Sequence, residues 1–403
     1  MDLPTFERLL APAGQALLAD LMGRDLRDAT LLAELERLRA RTDAELARAA
    51  LDTALLRRRA AGRIPHAERL YFTREALEQA TAAPVAAHRA ARLAPHAPHV
   101  ADICCGIGGD ALALAAAGAR VSAVDYDPLR LAMARANAAA LGLENRISFI
   151  EADVLATPPP AADAIFCDPA RRSEGRRVFD VEAYQPPLAH VLGWRAQCPA
   201  LCVKLAPGVA RESLPQEDGY ELEFVSLDGE LKEAALWCGP LATHPRRATL
   251  LASGEGQAAQ TYTLTGIEPS APHAPHSALS APLAYLYEPD PAVIRAQLVA
   301  GLAAQLGAAQ LDAEIAYLVA DKLVSTPFAR AWRVLEWLPF SLKRLRARVR
   351  AYDPGPVTVK KRGSPLDTDA LARQLSGRGA APLVVVLTRV QGKPAALLCA
   401  PAA

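Results

Sequence analysis

Two aspartates and two glycines carry the strongest chemical signal in this 403-residue chain. The run Val100-Ala101-Asp102-Ile103-Cys104-Cys105-Gly106-Ile107-Gly108-Gly109-Asp110 reads as a buried strand that ends in a glycine-rich turn and opens a helix. Glycines at such a turn let the backbone bend sharply and approach a ligand closely. Asp125 closes the next strand, 19 residues after Gly106, where an acid hydrogen-bonds a ribose hydroxyl pair. Tyr126 follows it and joins it as a candidate ligand contact. Gly106, Gly108 and Ala111 also satisfy G-x-G-x-x-A, the pattern of a dinucleotide site.

Two features favour S-adenosylmethionine (SAM) over a dinucleotide. Asp102 lies inside the strand, four residues before Gly106. A carboxylate there suits the cationic amino group of a methionine moiety and is badly placed beside a pyrophosphate. Asp168-Pro169 follows the apolar strand Ala164–Cys167. In a parallel sheet, residues at the carboxyl ends of adjacent strands converge on one crevice. Asp168 is expected there, near the sulfonium methyl, with the Pro169 backbone helping to hold an acceptor base. It would either raise the nucleophilicity of an amino group or take its proton. Asp153 ends a third strand and suits the adenine amino group.

The elements that must position these groups follow from hydropathy. Val100–Cys105, Val121–Asp125, Ile147–Ile150, Ala164–Cys167 and Leu201–Leu205 are strand-like. Asp110–Ala117 and Leu129–Leu141 are helical runs between them. Strand and helix in alternation predict an α/β fold, a Rossmann-like parallel sheet with helices on both faces. Asp228-Gly229 is a turn signal between Glu221–Leu227 and Glu233–Cys238, expected as an antiparallel edge. Residues 1–70 read as a helical N-terminal domain in which Leu31, Leu35 and Leu38 share a face. Arg57, Arg58 and Arg59 read as its solvated helix end. Residues 71–283 form the expected catalytic domain, closing in a Ser/Pro/Ala/Gly-rich connection. There His273 and His276 read as linker residues rather than metal ligands. Residues 284–403 read as an α+β domain, with helices over Val293–Leu306 and Leu342–Val349 and strands over Val357–Lys361 and Leu383–Thr388.

The run DICCGIGGDALALAAAGARVSAVDYDPLRLAMARANAAALGL, followed by ISFIEADV, resembles the SAM-binding core of trimethylguanosine synthase-type RNA methyltransferases. Upstream, Thr81-x-x-x-Val85-Ala86-x-His88 resembles the T-x-x-x-I-A-x-H segment of the same family. The resemblance implies cofactor roles for Thr81, Asp102, Gly106, Gly108, Asp125 and Asp153. It departs at Asp168-Pro169-Ala170-Arg171-Arg172, where those enzymes have Pro-Pro-Trp; without the aromatic, cap binding does not carry over and N-methylation is in doubt. The whole chain resembles a bacterial methyltransferase family with a C-terminal THUMP-like domain. The features are DPARR, residues 175–180 (GRRVFD), 285–290 (YLYEPD), 327–330 (PFAR) and 359–363 (VKKRG). THUMP domains proper bind RNA, so this resemblance implies an RNA partner, tRNA or rRNA.

Charge supports that expectation locally. The net charge is only +1, yet residues 330–362 hold ten Lys or Arg against Glu336 and Asp353, a local charge of +8. Trp332, Trp337, Phe340 and Tyr352 are interleaved with them. Phosphate neutralisation and base stacking need this combination. Lys360, Lys361 and Arg362, with Arg171 and Arg172 beside the crevice, are the candidate substrate contacts. The competing reading is a helix with an apolar core side and a solvated basic face. Lys204 interrupts an apolar strand and sits either at its exposed end or in the substrate cleft. Cys167 reads as the last buried position of a strand rather than a nucleophile. Cys198 and Cys202 lack the second pair that a zinc site needs, and the odd count of seven cysteines argues against a disulfide framework. With no signal peptide or apolar span, the expected location is the cytoplasm. Two functions of other classes stay open: methylation of a small molecule or protein, and non-catalytic RNA binding.

Overall fold

The computed structural model describes residues 1–402 apart from 171, 174–175, 178–179, 216, 255–256, 267–277 and 364. Contacts divide the chain into two compact units. The first comprises Met1–Glu221, Glu233–Thr243 and Glu255–Ala259. The second comprises Leu222–Lys232, His244–Gly254 and Gln260–Ala403.

The first unit opens with helices α1 (Leu3–Leu10), α2 (Pro12–Met22), α3 (Leu31–Arg39) and α4 (Ala44–Ala60). Asp2 and Asp43 cap α1 and α4 by accepting from the Thr5 and Leu46 amides. Phe6, Leu9, Leu17, Leu18, Leu21, Leu38 and Leu51 form one apolar cluster with Met133. A Cβ at Gly14 would meet Leu9 O at 2.4 Å, so only glycine lets α2 start this close to α1. Arg57 is not solvated: its guanidinium is buried, donates to the carbonyls of Leu70 and Arg69, and lies over the Tyr71 ring. Helices α5 (Arg74–Gln79) and α6 (Ala83–Leu93) then lead into a sheet.

That sheet contains β1 (His99–Ile103), β2 (Arg120–Asp125), β3 (Ile147–Glu151) and β4 (Ala164–Cys167), each within two residues of its expected bounds. A two-residue antiparallel ladder, β5 (Arg172–Ser173) with β6 (Arg176–Arg177), follows β4, and β7 (Leu201–Leu205) completes the parallel set. The order is β7-β4-β1-β2-β3. β1 therefore pairs with β2 on one side and β4 on the other, which makes its carboxyl end the topological switch point. Crossover helices α7 (Gly109–Ala116) and α8 (Pro128–Ala140) connect β1 to β2 and β2 to β3, and α9 (Leu188–Gly193) precedes β7. β4 and β7 are buried at every position, as a sheet covered on both faces requires.

Asp228 and Gly229 both adopt positive φ (+53° and +81°), joining β8 (Tyr220–Leu227) to β9 (Glu230–Cys238). The pair is not an edge as expected. β9 runs antiparallel to β7, and β8 takes β10 (Arg246–Gly254) as a parallel neighbour, with β11 (Gln257–Gly266) beyond it.

The C-terminal sheet of the second unit adds β12 (Tyr285–Pro289), β13 (Ala309–Asp312), β14 (Ile315–Ala320), β15 (Ala329–Pro339), β16 (Val357–Lys361), β17 (Leu383–Val390) and β18 (Lys393–Pro401). Their order is β13-β14-β12-β15-β18-β17-β16. The helix expected over Val293–Leu306 is two, α10 (Pro291–Arg295) and α11 (Val299–Leu306). Gln297 breaks it at φ +58°, with its side chain accepting from Arg246. Helices α12 (Leu342–Ala351) and α13 (Thr368–Leu375) bury Leu345, Val349, Leu371 and Leu375 with Val385, Leu387 and Leu398 of the sheet. No helix among the described residues is long and apolar enough to cross a membrane.

Candidate functional site

The turn after β1 is built from three residues in the left-handed region: Cys104 (φ +61°), Gly106 (φ +55°) and Gly108 (φ +88°). A side chain at Gly108 would meet Ala134 Cβ at 3.2 Å, so glycine there sets α7 against α8. A Cβ at Gly106 or Gly109 would meet nothing within 4 Å, so this stretch of backbone borders open space. The Gly106 amide donates to Asp125 Oδ2 at 2.8 Å, and Asp127 N donates to its Oδ1 at 3.0 Å. Tyr126, between them, is exposed. Asp153 is exposed beyond β3, and its Oδ1 accepts from Leu155 N at 2.9 Å.

Asp102 is buried in β1, and neither of its carboxylate oxygens has a hydrogen-bond partner among the described residues. Burial, then the neighbouring charges of Asp110 and Asp168, pushes its carboxyl well above the usual carboxylate range. Such a group is costly unless a cationic donor reaches it. The ammonium of SAM is a cation of that kind, and the open glycine backbone lies four residues away in sequence, so the residues present fit that cofactor.

Asp168 stands just beyond β4, and its amide donates to Ile103 O at the end of β1. Sequence reasoning left Lys204 between two environments; its side chain is buried and donates to Asp168 Oδ2 at 2.7 Å and Thr81 Oγ1 at 2.8 Å. Thr81 Oγ1 donates in turn to Asp110 Oδ2 at 3.2 Å. Asp110 and Glu233 both pair with Arg89, which lies 4.3 Å from the Phe166 ring centroid. Burial alone would lower the Arg89 pKa; the Asp110 and Glu233 carboxylates reverse this and hold it above the usual arginine value. Thr81, Asp102, Gly106, Gly108, Asp125, Asp153 and Asp168 thus all lie at or near the carboxyl-end turns of β1 to β4 or are bonded to residues there. Pro169, next to Asp168, is buried.

Arg89, Asp110 and Glu233 escaped the sequence reading. The available signal was an arginine at the i+3 position from Ala86 and i−4 from Leu93, both buried on α6. Cys167 is fully buried. Burial, then contact with Cys104, holds its thiol well above the usual range, as suits a structural residue. Arg171 and the side chain of Arg172 lie outside the described residues, as do His273 and His276.

In the second unit, the basic stripe divides in two. Lys360 donates to Glu288 and lies 5.0 Å from the Trp332 ring centroid; Arg362 reaches the same carboxylate at 3.8 Å. Lys361 is exposed and donates to Leu366 O. Helix α12 turns Lys343, Arg344, Arg346, Arg348 and Arg350 to solvent. Arg346 bonds Gln374 and Arg348 pairs with Glu336, whereas Lys343, Arg344 and Arg350 have no ion pair among the described residues. Arg346 and Arg350 line a 260 Å³ groove with Val349, Gln374 and Leu375. Of the interleaved aromatics, Trp332 is core, whereas Trp337 and Tyr352 are exposed.

Comparison with known proteins adds three family matches. A methyltransferase domain matches residues 100–175, a THUMP domain-like family residues 329–401, and a domain of unknown function residues 2–60. Two Mycobacterium tuberculosis proteins, from strains CDC 1551 / Oshkosh and ATCC 25618 / H37Rv, are each described as an uncharacterized S-adenosylmethionine-dependent methyltransferase. Both are 42% identical over 351 residues, covering 84% of this chain and 92% of their own. A solved structure from Porphyromonas gingivalis W83, a methyltransferase by assignment, covers 96% of this chain and 99% of its own. Its TM-score is 0.75 at 21% identity, a likeness of fold.

Proposed function

We propose, from the premise that the chain belongs to the S-adenosylmethionine-dependent methyltransferases, that its acceptor is a base in RNA, tRNA or rRNA, held by the C-terminal region. The observation that carries this reading is the solvent face of α12. It presents five cations, four of them without an ion pair among the described residues, beside a groove that two guanidinium groups line. Guanidinium groups at a groove suit phosphodiester oxygens, and exposed Trp337 and Tyr352 suit stacking on bases. The THUMP domain-like match over residues 329–401 contains all the residues of this face.

Bound SAM supplies an electrophilic methyl on a sulfonium. In this reading Asp102 holds the ammonium of the methionine part, Asp125 the ribose hydroxyls, and Tyr126 and Asp153 the adenine. Gly106 and Gly108 shape the turn so that backbone comes close. Asp168 and the Pro169 backbone hold the acceptor base in line. Asp168 already accepts from Lys204, which favours its use as a hydrogen-bond acceptor that orients an amino group over its use as a proton acceptor. Arg171 and Arg172, which follow Asp168-Pro169-Ala170 in the sequence, are the further candidates for phosphate contacts.

The test is tritium transfer from labelled SAM to total RNA of a strain lacking the gene, with wild-type RNA as control. Label entering only the deletion-strain RNA supports the reading, and digestion to nucleosides identifies the atom. Label in neither RNA, with SAM binding intact, moves the acceptor to a small molecule or protein.

A further inference from the structure

Lys204 is 4% exposed on β7, between Val203 and Leu205, which are fully buried. An ammonium in such a place is strongly disfavoured unless hydrogen bonds and a counter-charge compensate it. Strand register explains how both are supplied. In the parallel pairing of β4 and β7, Cys167 stands opposite Val203, so the next step along both strands sets Asp168 against Lys204. The third group, Thr81, comes from the segment before α6, more than a hundred residues away in sequence. Three separate elements are therefore tied together at one buried nitrogen, and its two bonds leave one of its three N–H donors for a ligand.

We propose that Lys204 is a positioning residue of the methyl-transfer site, which fixes the Asp168 carboxylate through their ion pair and balances its charge. The proposal rests on the assignment of Asp168 to the acceptor position. It adds a specific electrostatic consequence. As the S–C bond breaks and the bond to the acceptor forms, the positive charge leaves sulfur for the acceptor, which then loses a proton; the product, S-adenosylhomocysteine, has no charge at sulfur. A bare carboxylate at Asp168 would therefore favour bound SAM over S-adenosylhomocysteine, a preference that the Lys204 ammonium offsets. Paired with Lys204, Asp168 keeps its lone pairs for an acceptor N–H without adding a net negative charge. The Thr81 bond joins this pair to Asp110 at the first turn of α7, so the acceptor and cofactor groups are held in one hydrogen-bonded frame.

The experiment measures dissociation constants of SAM and S-adenosylhomocysteine by calorimetry on the full chain, with no acceptor present. Wild type is compared with Lys204→Met, Lys204→Arg and Asp168→Asn. In Lys204→Met the preference for SAM over S-adenosylhomocysteine should rise about tenfold, the scale of one uncompensated charge in a partly buried site. Lys204→Arg should keep the wild-type ratio to within about twofold, and Asp168→Asn should lower it. Equal weakening of both ligands in Lys204→Met, or an unchanged ratio, would overturn the proposal and leave Lys204 a structural residue. If Lys204→Met does not fold, a wild-type ratio in Asp168→Asn overturns it instead. Because RNA is absent, failure of the RNA reading leaves these results untouched.

Discussion

The Gly106 amide and the Asp125 carboxylate meet at 2.8 Å, joining the turn after β1 to the end of β2. The same carboxylate holds Asp127 N, so one side chain shapes the glycine turn and, in the proposed reading, also binds the ribose. Asp125→Ala is expected to weaken SAM binding by at least about tenfold, the loss of charge-assisted hydrogen bonds, and to lower the melting temperature by a few degrees. RNA affinity should stay within about twofold. Calorimetry with SAM and a filter-binding assay with RNA separate the two; parallel losses would show that the two activities are not divided between different residues.

Asp102 gives a pH signature. Its carboxyl is raised in the folded protein, so the folded state holds a proton that the unfolded chain has released. The resulting stability is present at low pH and declines as pH rises from the ordinary carboxylate range toward the raised folded value. Asp102→Asn should therefore melt higher than wild type at pH 8, with the gap closing toward pH 4, while losing SAM affinity. A variant less stable than wild type at every pH would contradict this account of the unpartnered carboxylate.

The two parts of the basic stripe should separate on substitution. Replacing Lys343, Arg344 and Arg350 with alanine is expected to reduce the slope of log affinity against log salt by about 2, at about 0.7 per lost single-strand phosphate contact. Stability should hardly change, because all three side chains are exposed. Lys360→Ala should instead cost about 1–3 kcal/mol in urea unfolding, because it strips a partner from half-buried Glu288. An unaltered salt slope in the triple variant would remove α12 from the RNA interface.

Arg89 is expected to be the most sensitive position of the hydrogen-bonded frame. Arg89→Met would leave Asp110 and Glu233 buried without their shared cation, a change that typically costs about 3–5 kcal/mol. Adding Glu233→Gln to Arg89→Met should recover part of the loss. A double-mutant cycle in urea checks the coupling; strict additivity would mean that the ion pairs contribute nothing together.

The site and the fold differed in how far sequence could reach. β1, α7 and β2 were readable because apolar runs, a glycine turn and a terminal acid follow one another locally. Asp125 and Gly106 fell into place with them. The Lys204–Asp168 pair spans 36 residues and depends on β4 and β7 being neighbours, which hydropathy does not report. Arg89 and Glu233 are 144 residues apart, and their pairing rests on an equally remote neighbourhood. Lys360 and Arg362 looked like surface cations because their partner, Glu288, belongs to β12, far upstream. The break in Val293–Leu306 was hidden because every residue in that run tolerates a helix; the Arg246 contact to Gln297 accompanies the break.

The division into units carries a practical consequence for anyone wishing to take the protein apart. The chain passes from one unit to the other five times between Glu221 and Gln260. A single proteolytic nick inside this stretch separates strands that belong to one unit, and a fragment begun near residue 284 lacks β8, β10 and β11 of its own unit. The two units therefore cannot be obtained separately by one cleavage. Circular permutation, or substitutions in the intact chain, offers the cleaner route to studying each alone.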